Sequence, residues 1–512
     1  MHRYQVVTIL SNLIIIFSIP PKTVTVSQTA FIPQCLQVGS PCGKLLSIAQ
    51  HPTTGLVYVA TEDGLYELDN NLHIVSYTTT AIIAEGVVND FIILTDSGFV
   101  VCRNDESGSC HFRSISSFDV VNGLYQPGVV SKNRHSGSVV SWIANGPDGV
   151  TVVNVAVSSD TDGNLPALST RYLLYREQVT ANYSKFMSVL TNKYSSPTGQ
   201  KYFSGDYKPN LVKPIYGFSS GNYHYLIETQ FDKRNLKSKL IQLCKTDVDY
   251  KSYIELPIEC MTQDGNKMPQ AISAYFATDT LSVSFSNLDE SDPLSVVCQY
   301  NINDFKEQFR ERRRECLMGF TETTQLEWNP NIFCPTEAVS PDVFNLTRLN
   351  DPDFCYDLDT SHPLGGQKPI QKDALFTTST VVNAITVQEH RNNGTIFFLG
   401  DSRGNLVKKR LRKDSWESET TQVFEDGSPV LSPNGLLVDV NGDMLYIFSN
   451  TKLVKMSAKF YQDPPTRKTP SNQIPTITVI CVFIVALLLV VLAGVIFYKR
   501  RQKLSWYRTY GR

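Results

Sequence analysis

The chain has 512 residues, 42% hydrophobic and 19% charged, and its 47 Lys and Arg against 49 Asp and Glu give a net charge of −2. That balance excludes the strong single-sign field of a typical nucleic-acid-binding protein, and the length is ample for a large buried core. In chain order, His2 and Arg3 precede an apolar run over residues 6–19 that Pro20 and Pro21 stop. Positive charge followed by an apolar run too short to span comfortably predicts a secretory signal peptide over residues 1–24.

One pattern then recurs. "TGLVYVATEDGLYELD" (54–69) reads as an alternating strand, a turn and a second alternating strand, and "NDFIILTDSGFVVC" (89–102) repeats it. Longer versions occur at 221–244 and 279–300, and "GTIFFLGDSRGNLVKKRL" (394–411) and "GDMLYIFSNTKLVKM" (442–456) close the series. Period-two alternation around Gly, Asp and Asn turns is the hairpin signal, and many such units predict an all-β sandwich or propeller. Residues 30–456 show no linker, so one β-propeller accommodates them better than a string of sandwiches of about 100 residues each. A single helix is expected over 301–316, "NINDFKEQFRERRREC", with Asn303 as its cap and Phe305 and Phe309 on one face, as an insertion on the propeller.

After residue 456 comes a short stalk (457–473) without Cys and broken by prolines, then residues 477–497, ITVICVFIVALLLVVLAGVIF, with no charge. Roughly 20 apolar residues cross the ~30 Å hydrocarbon core as a helix. Lys499, Arg500, Arg501, Lys503, Arg508 and Arg512 come next, the mark of a cytoplasmic flank. The expectation is a type I single-pass plasma-membrane protein with an extracellular domain and a cytoplasmic tail of residues 498–512. Of the eleven Cys, Cys481 falls in the span, and the other ten, an even number in an oxidising compartment, predict five disulfides. Asn182, Asn345 and Asn393 sit in glycosylation acceptors.

The most specific stretch is "KLIQLCKTDVDYKSYIELPIEC" (239–260). It resembles the sema domain of plexins, in which Ser-Tyr-x-Glu-Leu-Pro-x-x-Cys comes after a strand ending in Cys; growth-factor-receptor sema domains share part of that motif. "VCRNDESGSCHF" (101–112), "SVVCQYNINDFKEQF" (295–309), "TIFFLGDSRGNLVKKRL" (395–411) and "GSPVLSPNGLLVDVNGDMLYIFSNTKLVKM" (427–456) resemble further plexin segments in the same order. The resemblance covers about residues 45–456. It implies a seven-bladed β-propeller and the pairs Cys102–Cys110, Cys244–Cys355, Cys260–Cys298 and Cys316–Cys334. Cys35 and Cys42 remain as a fifth pair, a departure from the plexin pattern. It also implies an extracellular protein ligand, a semaphorin, met by blades in the third and fourth positions within residues 120–240. A tail of residues 498–512 has no room for the plexin GTPase-activating region or a kinase. The expected role is therefore a co-receptor, decoy or adhesion protein in semaphorin–plexin signalling, with lateral association with a signalling receptor. A shortened product of a full plexin is the alternative.

Enzymatic chemistry finds little support, and neither a catalytic nor a metal or cofactor site is expected. "GFSSG" (217–221) has the spacing of a serine-hydrolase elbow, but the residues after Gly221 alternate like a strand, where the elbow needs a helix. "DVNGD" (439–443) starts like a calcium loop, yet position 12 is Asn450 and Asn-Gly favours a hairpin turn. "RERR" (310–313) fits a convertase site on what should be an ordered helix, and "KKRLRK" (408–413) reads as a basic strand end. A propeller glycosidase would need paired carboxylates, which no repeated motif supplies.

Overall fold

In the computed structural model the described residues are 29–460, apart from 32–42, 63, 80–88, 95–97, 104–106, 131–138, 159–165, 174–185, 191–199, 202–211, 233–234, 248–249, 251, 288–290, 292, 319–354, 356–363, 366–367, 391–393 and 413–414. They form seven antiparallel sheets in chain order, the seven blades of an all-β propeller. Blade 1 runs from Leu45–Gln50 to Ile74–Thr79, blade 2 from Asn89–Leu94 to Val120–Gln126 and blade 3 from Val139–Asn145 to Gln200–Lys201. Blade 4 begins at Val212–Ser220, blade 5 at Gln270–Ala277 and blade 6 at Val382–His390. Blade 7 is built from Leu436–Val438, Met444–Phe448 and Leu453–Ser457, and takes its outermost strand, Thr29–Phe31, from the other end of the chain. Thr29 faces Lys455, Ala30 faces Val454 and Phe31 faces Leu453.

The six hairpins expected from alternation are the second and third strands of blades 1, 4, 5, 6 and 7 and the first and second strands of blade 2. In blade 1 these residues are apolar on both faces because the blade is covered on both sides. In Val57–Thr61, Val57 and Val59 pack with Tyr66, Tyr446 and Leu453 toward blade 7. The intervening Tyr58 and Ala60 pack with Phe99, Val101 and Phe118 of blade 2. Period two along the strand thus splits one run of side chains between two seams.

The helix occupies Ile302–Leu317, between the third strand of blade 5 and its short outer strand Phe376–Thr378. Phe305 and Phe309 are fully buried, in one cluster with Tyr225, Tyr300 and Ile302. The expected cap at Asn303 is corrected: Asn301 Oδ1 accepts the Asn303 N–H at 2.9 Å, because the helix begins at Ile302, two residues earlier than that cap implies and straight off the strand. On the way back the chain lays Leu364–Gly365 and Ile370–Asp373 parallel to Ile254–Met261, covering the outer edge of blade 4.

The propeller unit ends at Ala458. The stalk beyond that residue, the span at 477–497 and the tail lie outside the described residues but for Lys459 and Phe460, as does the signal peptide. Among the described residues no helix is long and apolar enough to cross a membrane.

Phe31 rests edge-on against Tyr66 of blade 1 at 5.4 Å, so it joins two blades as well as lengthening one. Phe31→Ala is expected to cost about 3–5 kcal/mol, read as a lower urea midpoint of the full chain, and Phe31→Leu clearly less.

Candidate functional site

The seam between blades 3 and 4 falls in the region that the resemblance assigns to ligand binding, and it carries the most elaborate polar chemistry of the described residues. Trp142, on the inner strand of blade 3, lies flat over Gly217 on the inner strand of blade 4; a Cβ at Gly217 would come within 2.0 Å of the indole. Gly217 is therefore a close-approach glycine, and "GFSSG" belongs to a strand and its hairpin turn. The Trp142 indole N–H donates to Ser219 Oγ at 3.1 Å, and Ser219 Oγ lies 2.8 Å from His224 Nδ1.

Those contacts settle what the serine can do. Asn154 Nδ2 meets the same His224 Nδ1 at 3.3 Å, so both neighbours converge on one ring nitrogen, and His224 Nε2 has no hydrogen-bond partner among the described residues. Burial, with Lys245 adding to it, pushes the His224 pKa down to about 3. An imidazole so reluctant to take a proton is a hydrogen-bond acceptor, not a general base at neutral pH.

A second group stitches the same seam. The Tyr250 hydroxyl accepts the Thr170 backbone N–H at 2.5 Å and donates to Thr170 Oγ1 at 3.1 Å, and Thr170 Oγ1 donates to Asn154 Oδ1 at 2.8 Å. Tyr250 stands at φ 59°, a left-handed conformation unusual for a bulky residue and held here by these bonds and by burial with Tyr253, Leu168 and Leu243.

The residues of "SYIELP" acquire separate physical duties. Ser252 Oγ accepts the Cys244 N–H at 3.0 Å, and the Ser252 carbonyl accepts from Arg313 of the helix. Ile254 and Leu256 face blade 5 in the core shared with Phe305 and Phe309. Tyr253 and Glu255 point the other way, where the Tyr253 hydroxyl donates to Glu255 Oε2 at 3.0 Å and Lys239 Nζ meets Glu255 Oε1 at 2.5 Å. Gln230 Nε2 donates to Glu228 Oε1 at 2.5 Å and to Glu255 Oε2 at 3.2 Å.

Sequence reading missed this charged group, and it missed Trp142. The available signal was the row His224, Leu226, Glu228, Gln230, whose charged third member interrupts an inward-facing face of an otherwise ordinary strand.

Three disulfides join described residues: Cys102–Cys110 within blade 2, Cys260–Cys298 between blades 4 and 5, and Cys244–Cys355 between blade 4 and the insertion. They coincide with pairs implied by the plexin resemblance. Cys35, Cys42 and Cys334 lie outside the described residues, as do Asn182, Asn345 and Asn393, and the side chain of Cys316 is not described. In "DVNGD", Asp439 Oδ1 accepts the N–H groups of Asp443 and Met444, a turn held by its own carboxylate. No cluster of His, Cys, Asp and Glu fit to hold a metal occurs among the described residues. In the "RERR" stretch, Arg313 is buried against the Ser252 carbonyl. The "KKRLRK" run is matched by the next strand: Arg410 bonds Glu417, Lys408 lies 3.8 Å from Glu419, and Lys409 sits 4.6 Å over the Phe376 ring.

Residues 263–434 match the family model "Sema domain". The chain is similar to plexin-A2 of Homo sapiens, 24% identical over 474 residues, which cover 79% of this chain and 24% of the relative. Plexin-B3 of Mus musculus is 24% identical over 437 residues, 78% of this chain and 21% of the relative. The chain thus spans about a quarter of the length of the curated relatives it matches. Among solved structures, the plexin A4 extracellular region superposes with TM-score 0.69 at 19% identity, covering 85% of this chain and 40% of that one. A chain from the complex of Drosophila plexin A with semaphorin 1b gives 0.53 at 12% identity, over 84% of this chain and 87% of that one.

Tyr250→Phe keeps the ring and removes both seam bonds, leaving the buried Thr170 N–H without its acceptor. The expected loss is about 1–3 kcal/mol by chemical denaturation, with Thr170→Val partly non-additive to it.

Proposed function

We propose that this plexin-like sema propeller is the ligand-binding ectodomain of a single-pass cell-surface protein, and that it binds a semaphorin through the perimeter of blades 3 and 4. The observation that carries the reading is the likeness of the whole propeller to a plexin extracellular region, at TM-score 0.69 over 85% of the chain. It is supported by the position of the "SYIELP" side chains: Tyr253 and Glu255 lie in the seam with blade 3, and Ile254 and Leu256 pack toward blade 5. A complex of plexin A with semaphorin 1b exists for Drosophila proteins of this architecture. The mode is binding rather than catalysis: the Ser219–His224 contact lacks a competent base, and the polar groups of the seam are spent on one another.

Within semaphorin–plexin signalling, the role consistent with this reading is that of a co-receptor, decoy or adhesion protein. Its propeller is held outside the cell by the 477–497 span, and its output comes from a receptor beside it. The positive residues after Phe497 and the signal-peptide pattern before residue 25 support that topology.

A glycan wedge tests the surface. Lys237→Thr turns Asn235-Leu236-Lys237 into a glycosylation acceptor at the Asp232–Asn235 hairpin end of blade 4. His73→Thr does the same at Asn71 on blade 1, where His73 is well exposed. With full-length protein on cells and a panel of soluble semaphorins, the blade 4 glycan is expected to weaken binding by about tenfold or more, at least 1.4 kcal/mol. The blade 1 glycan should leave it unchanged. Absence of binding across the panel by the unmodified protein would remove the semaphorin reading itself.

A further inference from the structure

Blade 4 buries two carboxylates around one ammonium group. Glu228 lies on the strand Tyr223–Asp232 directly opposite Lys239, and Glu255 comes from Ile254–Met261, next but one to the residue that faces Lys239 on that side. Glu228 is 5% exposed, Lys239 3% and Glu255 0%. The donors are unequally shared. Glu255 receives the Lys239 ammonium, the Tyr253 hydroxyl and one contact from the Gln230 amide, whereas the bond described for Glu228 is with that same Gln230 amide.

The surroundings offer Glu228 no second cation among the described residues. Its partner on the inner strand of blade 4 is Pro214, and the blade 3 side of the seam presents Val140, Ala156 and Leu168. Lys213 pairs with Thr229 and so belongs to the opposite face of the sheet. The charged groups that act on Glu228 are Glu255, which opposes its ionisation, and Lys239, which favours it; the other titratable groups of the seam are the His224 imidazole, which burial keeps neutral, and the hydroxyls of Tyr250 and Tyr253. Two buried negative charges balanced by one positive charge are strongly unfavourable, whereas one carboxylate, one ammonium and one neutral acid are balanced.

We propose that Glu228 is held as a neutral carboxylic acid at cell-surface pH, so that the propeller takes up a proton when it folds and the joint between blades 3 and 4 weakens as that proton's cost rises with pH. Burial, reinforced by the Glu255 charge, pushes the Glu228 carboxyl up to about 8. The unfolded chain ionises the same group near its ordinary 4.5. Stability contributed by Glu228 is therefore complete below about 4.5, declines from there to about 8, and levels off once the folded form ionises too. This inference does not rest on the identity of the ligand.

The test is thermal unfolding of the full-length protein and of Glu228→Gln, side by side from pH 5 to 9. The glutamine keeps the shape and cannot ionise, so it reproduces the neutral acid at every pH. The Tm of the unmodified protein is expected to fall relative to the variant between about pH 5 and 8, with a linkage of about one proton, and to run parallel above 8. A difference that stays constant over pH 5–8, or that rises, overturns the proposal. If the variant does not fold, infrared difference spectra of the unmodified protein decide the matter. A protonated-carboxyl C=O stretch present at pH 7 and lost around pH 8 supports the proposal, and its absence at pH 7 overturns it.

Discussion

Three residue pairs between Thr29–Phe31 and Leu453–Ser457 bring the two ends of the described chain into one sheet, and the rest of the propeller depends on that closure. A blade is a small twisted sheet with two apolar faces, and neither face can be buried by the blade itself. Each seam needs the neighbour on both sides, so an open ring would leave Val57, Val59 and Tyr66 of blade 1 and Tyr446 and Leu453 of blade 7 against water. Burying such side chains gains about 1.5–3 kcal/mol each. Further ties support the joint: the Leu45 N–H donates to the Asn450 carbonyl at 2.7 Å, and the Val440 N–H donates to Gln50 Oε1 at 3.0 Å.

The seams differ in how they are filled. Between blades 1 and 2 and between 5 and 6 they are largely aromatic and aliphatic, with Tyr58, Phe99 and Phe118 in one and Phe376, Phe397 and Trp416 in the other. The seam of blades 3 and 4 adds a chain of polar side chains from Trp142 to Tyr250 and a charged group from Glu228 to Glu255. Buried polar groups add little net stability, but they penalise misalignment severely, since a slipped register would leave them unpaired. A seam built this way fixes the relative position of the two blades more sharply than an oily one.

The hairpins were legible because alternation with Gly, Asp and Asn turns is a local signal, and six strand pairs show it. Blade 3 went unnoticed: its second and third strands, Thr151–Val157 and Pro166–Tyr172, were not among the hairpins read from alternation, though they pair from Val152–Tyr172 to Ala156–Leu168. Of the innermost strands, only Asn89–Leu94 of blade 2 fell within a hairpin read from alternation. Val139–Asn145 alternates weakly because one of its faces is shared between a neighbour and the open centre, which leaves Ile143 exposed. The helix was visible from Phe305 and Phe309 at i, i+4, but its first residue was misplaced, since two Asn residues in one short stretch both make acceptable caps.

The chain's chemistry was legible in kind and not in place. Sequence by itself determined an all-β propeller and the likeness to plexin sema domains that "SYIELP" carries, because strand period, turn chemistry and short motifs are written over a few neighbouring residues. Only the tertiary structure decided that Thr29–Phe31 completes the last blade, that Gly217 exists to admit Trp142, and that Glu228, Lys239 and Glu255 meet in one seam. Those residues stand 11 to 426 positions apart, and each is ordinary beside its own neighbours. Their meaning comes from the partner that folding sets against them, a distance that no local pattern encodes.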